Sequence, residues 1–169
     1  MDSKKIIAVL GATGSQGGGL VRAILDDANG GLAVRAITRD PASDAAKALA
    51  ARGAEVVAAD VDDEKSLERA FAGAHGVFAI TFYWAHMQPQ KELDESRRIA
   101  QAAKAAGVGH VIWSTLEDTR TFIPLSDDRM PTLMGKYKVT HFDAKGEGDA
   151  AFAAAGVPTT YLLTTFYWD

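Results

Sequence analysis

Residues 6–25, IIAVLGATGSQGGGLVRAIL, decide how the rest of the chain is read. The stretch runs apolar, then glycine-rich, then apolar again. Five glycines stand between Gly11 and Gly19. Glycine weakens helices and strands by about 0.5–1 kcal/mol relative to alanine. A chain that accepts this cost directly after its first strand needs close approach to the backbone there. A strand, a glycine turn and a helix is the order that brings an anion to free backbone N–H groups and the positive end of a helix dipole.

The remainder of the chain supplies the context. Short apolar runs alternate with longer helical patterns. Residues 5–10, 32–38, 55–59, 76–81, 109–114 and 159–166 read as strands. Residues 15–28, 42–52, 63–72, 89–106 and 136–155 read as helices, the last despite Gly146 and Gly148. Residues 116–135, with Pro124, Pro131 and Gly135, read as irregular. Such alternation predicts βαβ units, and so an α/β doubly wound parallel sheet covered on both faces. The alanine-rich pieces AAKALAA, AQAAKAAG and AAFAAAG fit helix faces packed closely on a sheet.

Composition narrows the function. The 169 residues suffice for one domain with a real core, and the whole of 1–169 is expected to be that domain. The chain has no cysteine, which excludes disulfides and thiolate chemistry and fits a reducing compartment. Its apolar runs are far short of the roughly 20 residues that span a bilayer, and no signal-peptide core follows MDSKK. A cytoplasmic protein without a membrane partner is expected. The net charge of −4 and the lack of a basic cluster argue against nucleic acid. His75, His86 and His110 are scattered, with no metal-ligand spacing, so no metal is expected.

The turn reads Gly11-x-x-Gly14-x-x-Gly17, not the more familiar G-x-G-x-x-G. Gly11 suits the tight turn, Gly14 a close pyrophosphate and Gly17 close helix–strand packing. Thr13, Ser15 and Gln16 complete the candidate phosphate loop. About 20 residues on, strand two ends in AITRDP. An acid at this tip would bond the ribose 2′-hydroxyl of NAD, whereas Arg39 suits the 2′-phosphate of NADP. NADP(H) is therefore favoured over NAD(H); a solvated Arg39–Asp40 pair is the bland alternative. Strand three ends in AADVDD, which puts Asp60 and Val61 where adenine would lie, with Asp60 facing its exocyclic amine. Asp62 is a candidate cap for the next helix.

These pieces together resemble a family. GATGSQGGG, AITRDP, ADVDD and VFAITFYW, with the later HFDAKGEGDAAFAAAGVPTTYL, are similar to the NmrA-like branch of atypical short-chain dehydrogenases. The resemblance implies a Rossmann-type fold binding NADP(H). It implies either a redox-sensing regulator or an NADPH-dependent reductase of small carbonyl, quinone or aromatic compounds. Reductases of the wider superfamily carry a Ser or Thr after strand five and a Tyr-x-x-x-Lys pair on the next helix. Ser114 and Thr115 fit the first position and Lys145 the lysine, which contacts the nicotinamide ribose. The tyrosine position holds His141, and Tyr137 stands one helical turn earlier on the expected face. His141 and Lys145 are the candidate catalytic residues; His141 has an ordinary pKa near neutrality, as a proton donor needs.

TFYW occurs twice, at 81–84 and 165–168, after strands four and six. Both follow carboxyl ends of strands, where ligands bind in such sheets. Aromatic clusters there could wall the nicotinamide and an apolar substrate, with core packing as the alternative; Thr81 is a candidate cofactor contact, and the resemblance implies Phe82 and Phe166 as the nicotinamide contacts. The missing tyrosine favours a dinucleotide sensor with a regulatory protein partner. Lys145 and the aromatic walls favour a reductase with a small apolar substrate. Ending on an aromatic cluster, the chain is expected to be a fragment lacking a C-terminal substrate lobe, with self-association through the bare edge as a consequence.

Overall fold

The computed structural model describes residues 4–27 and 29–164. Its strands are β1 (Lys5–Val9), β2 (Leu32–Thr38), β3 (Glu55–Ala58), β4 (Gly76–Ala79), β5 (His110–Thr115) and β6 (Thr159–Leu163). Its α-helices are α1 (Ser15–Asp26), α2 (Asp44–Ala51), α3 (Glu64–Phe71), α4 (Pro89–Ala105) and α5 (Thr140–Ala155). The strands form one sheet in the order β3-β2-β1-β4-β5-β6, and every pairing is parallel. This is the doubly wound, Rossmann-type α/β architecture expected from the alternation.

Strand alternation sorts the side chains onto two faces. Ala8, Ile37, Val77, Val111 and Trp113 join Leu67, Phe71, Ile99, Ala103 and Phe152 in the core under α3, α4 and α5. Val9, Val34, Ala36 and Phe78 meet Val21 and its neighbours under α1 and α2. Chain order reverses between β1 and β4, which opens a crevice at the carboxyl ends of those strands. The alanines of α4 and α5 let these helices pack closely: Ala100, Ala102, Ala103 and Ala144 are all buried. Gly148 belongs to the same contact, since a Cβ there would lie 2.8 Å from Ser96 Oγ.

Two boundaries differ from the sequence reading for identifiable reasons. Asp63, not Asp62, caps α3: its Oδ1 accepts the Ser66 N–H at 3.1 Å. Helix α5 begins at Thr140 rather than 136. Leu133 and Tyr137 exchange backbone hydrogen bonds around Met134 and Gly135, both at positive φ. The Asp143 carboxylate then takes the N–H groups of Lys138 and Val139 at 2.7 and 3.1 Å, which starts the helix. Tyr137 therefore lies outside α5. It is buried with Arg120 and Lys136 over its ring, and does not share a helical face with His141 and Lys145.

Candidate functional site

A cleft of about 490 Å³ lies at the β1/β4 reversal, lined by the turn after β1, the tips of β2 and β3, the segment after β4 and the start of α4. A larger depression of about 600 Å³ lies between α4 and α5, lined mainly by small residues such as Ala105, Ala150, Ala151 and Ala154.

Gly11, Thr13 and Gly14 line the cleft. Gly11 has φ +61°, and the Gly14 N–H closes the turn on Gly11 O at 2.9 Å. Gly17 lies behind the wall. A Cβ there would sit 2.4 Å from Gly11 O and 2.7 Å from Leu10 O, so this position lets α1 rest on the turn. Ser15 opens α1, and the Gln16 Oε1 accepts the Ser114 hydroxyl at 2.7 Å. Neither Ser15 nor Gln16 lines the cleft.

Arg39 lines the cleft at the tip of β2 and is exposed, with no ion pair among the described residues. Asp40 is occupied elsewhere: its Oδ1 accepts the Ala42 N–H at 2.9 Å, forming a turn ahead of α2. The Arg39–Asp40 pair is thus not formed. Asp60 and Val61 line the cleft, and the Asp60 Oδ1 accepts the Asp62 N–H at 2.9 Å. Asp62 bonds Lys91 and Arg98 of α4, each at 2.6 Å, and so ties the β3 tip to that helix.

Thr81 and Phe82 form the wall after β4. Thr81 is buried, whereas the Phe82 ring is 65% exposed. Tyr83 tucks into a short 3-10 turn, Tyr83–Ala85, leaving Trp84 largely exposed. Phe166 and the second TFYW lie outside the described residues.

Lys145 does not reach the wall. Its Nζ sits directly behind Thr81, donating to Thr81 Oγ1 at 2.7 Å, and lies 4.9 Å from the centre of the Trp113 ring. It pairs with Glu92 Oε1 at 3.2 Å. The Thr81 hydroxyl donates to that same oxygen. Burial lowers the Lys145 pKa, and the nearby Glu92 carboxylate opposes the fall. Ser114 is buried and bonds toward Gln16 and Thr164. Thr115 faces α5 and donates to Asp149 Oδ1 at 2.7 Å. The His141 ring lies tilted, 4.7 Å between centres, against Trp84 in an aromatic cluster with Tyr83 and Phe142. Burial lowers its pKa, which disfavours the charged form.

Sequence reasoning placed α4 but gave no role to its acidic residues. Within KELDESRR, Glu92 is fully buried and Glu95 nearly so. His86, placed by the turn after Tyr83, brings its Nε2 to 3.5 Å from Glu92 and 3.7 Å from Glu95. Burial and the neighbouring Glu92 raise the Glu95 pKa to about 7. The available signal was an i,i+3 pair of acids in register with the buried Ser96 and Ile99.

The NmrA-like family model matches residues 3–169. The chain belongs to the NmrA-like family. An NmrA-like family domain-containing oxidoreductase, notA of Aspergillus sp. (strain MF297-2), is 40% identical over 128 residues, covering 72% of this chain and 37% of that relative. NmrA, a negative transcriptional regulator solved in complex with NADP, is 27% identical with a TM-score of 0.74, covering 95% of this chain and 45% of that one. The NADPH-dependent quinone oxidoreductase QOR2 of Escherichia coli, solved with NADPH, is 27% identical with a TM-score of 0.71. That match covers 96% of this chain and 49% of the other. The chain spans about half the length of these structures, and its match spans about a third of curated relatives. Among the described residues no helix is long and apolar enough to cross a membrane.

Proposed function

We propose that this chain forms the NADP(H)-binding part of an NADPH-dependent oxidoreductase acting on a small apolar carbonyl or quinone. The observation that carries this reading is one cleft lined by the glycine turn, an exposed Arg39 and Thr81, with the Lys145 ammonium donating to Thr81 from behind the wall. Backbone N–H groups at the start of α1 suit the pyrophosphate. Arg39 suits a 2′-phosphate, and Asp60 and Val61 bound the adenine end. When bound, NADPH supplies the hydride. From behind the wall, Lys145 Nζ donates to the Thr81 hydroxyl and so fixes Thr81 at the nicotinamide end. Phe82 and Trp84 offer apolar surface for an aromatic substrate. The names of relatives such as notA and QOR2 support the redox reading.

A second reading, a dinucleotide-responsive regulator, draws on a different observation. His141 takes the tyrosine position but lies in an aromatic cluster with its charged form disfavoured, so the usual proton donor is absent. NmrA, a regulator by its description, has been solved with NADP and with NAD. NADPH oxidation by the full-length protein across a quinone and carbonyl panel decides between them. Turnover lost in Lys145→Ala supports the oxidoreductase. Tight NADPH binding without turnover supports the regulator.

A further inference from the structure

Glu92 stands out because nothing in the cleft requires a fully buried carboxylate there. Burying a carboxylate beside a lysine costs several kcal/mol per ion unless geometry recovers it. Here one oxygen is well used: Glu92 Oε1 receives the Thr81 hydroxyl and faces Lys145 Nζ at 3.2 Å. The other, Oε2, has no hydrogen-bond partner among the described residues, and neither has His86 Nε2, which faces it at 3.5 Å.

His86, Glu92 and Glu95 bring three ligand-type atoms within 4.8 Å of one another, which raises the question of a metal. The imidazole answers it. His86 Nδ1 already accepts the Gln88 N–H at 3.0 Å, so the neutral ring carries its proton on Nε2. A metal-bound histidine donates from its other nitrogen, the reverse of this arrangement. The Nε2–H instead faces Glu92 Oε2 at 3.5 Å and Glu95 Oε2 at 3.7 Å.

We propose that Glu92 is a positioning residue for Lys145: its buried carboxylate holds the ammonium beneath Thr81 and keeps it protonated, while His86 supports Glu92 from the far side. The inference rests on the NADP(H) reading only for its consequence in cofactor binding. The groups facing Lys145 are Glu92 and Glu95 from α4, and Asp149 from α5, with the Trp113 ring beneath it. Glu92 alone touches the ammonium among these carboxylates. Asp149 is engaged by Trp113 Nε1 and Thr115 Oγ1 at 2.8 and 2.7 Å. Glu95 is drawn toward Lys91, 3.8 Å away, on the cleft side. His141 faces the same region with its charged form disfavoured.

The test is an NMR titration of the Lys145 side-chain ammonium in this chain, its resonance assigned by loss in Lys145→Arg. Glu92→Gln is expected to fold by circular dichroism and to lower the Lys145 proton affinity at least about tenfold, the effect of losing an adjacent opposite charge. A folded Glu92→Gln with an unmoved Lys145 titration overturns the proposal. If Glu92→Gln does not fold, Glu92→Asp, which draws the charge back by one methylene, is expected to lower the affinity in the same direction; no change again overturns it. Calorimetric NADPH binding across pH separates the two claims. Weakening in Glu92→Gln that sets in at lower pH than in the wild type supports both. A shifted Lys145 titration in a chain that binds no NADPH supports the positioning role and overturns the cofactor reading.

Discussion

At one end of the cleft Gly11, Thr13 and Gly14 present a turn made by neighbouring residues. At the other, Thr81 rests on Glu92 and on Lys145, which comes from the distant helix α5, while His86 backs Glu92 from the far side. The first end works through backbone geometry, so its requirement is absence: no side chain may fill the approach. The second works through charges enclosed by protein, where each group needs the others. A polar network of this kind is costly when half satisfied and specific when complete. The two ends therefore fail differently, and four experiments separate them.

The largest effect is expected at the backbone end. Gly17→Ala places a Cβ 2.4 Å from Gly11 O, a clash with main chain that no rotamer relieves. It is expected to cost about 3 kcal/mol or more of stability, measured by urea denaturation. A mild effect would show that the turn can move and that the two ends differ less than their geometry suggests.

Next comes the charge network. Glu95, with its pKa raised to about 7, keeps a proton in the folded protein that the unfolded chain gives up in the ordinary carboxyl range. Its stabilising contribution is full below that range and is lost as pH rises through about 7. Glu95→Gln cannot lose the proton, so its stability profile should be flatter. The gain over the wild type above that pH should be up to about 3 kcal/mol. Parallel pH profiles of the two proteins would remove Glu95 from the network.

Arg39→Ala tests the adenosine side. NADPH binding should weaken by about 1.5–3 kcal/mol, the range for a charged hydrogen bond, with NADH binding unchanged in calorimetry. Equal weakening of both would mean that Arg39 serves the cleft in general and not a 2′-phosphate.

The smallest effect contrasts two adjacent acids. Asp63→Ala removes the α3 cap and should cost about 1 kcal/mol in thermal or urea unfolding. Asp62→Ala removes partly exposed pairs with Lys91 and Arg98 and should cost less than about 1 kcal/mol. The opposite order would show that the tie from β3 to α4 matters more than the local cap.

Legibility followed the same divide. The strand–turn–helix order, the parallel sheet and the glycine turn were readable because local periodicity and backbone freedom express them in consecutive residues. That Arg39, Asp60 and Val61 line the cleft was readable because strand tips of such a sheet converge on one crevice. The role of Asp62 was not, since its partners Lys91 and Arg98 lie on a helix whose placement local sequence does not state. Tyr137 was misplaced because the Asp143 carboxylate, not helix propensity, sets where α5 begins.

What the sequence by itself determined is the alternating chain, its double winding and the glycine turn after β1. Each follows from short-range sterics and hydrophobic patterning. Only the tertiary structure decided that Lys145 lies behind Thr81, that Glu92 is buried against it, and that His86 and Glu95 enclose the pair. Charge interactions inside a protein depend on distance and burial, and both arise only when β4, β5, α4 and α5 are packed together.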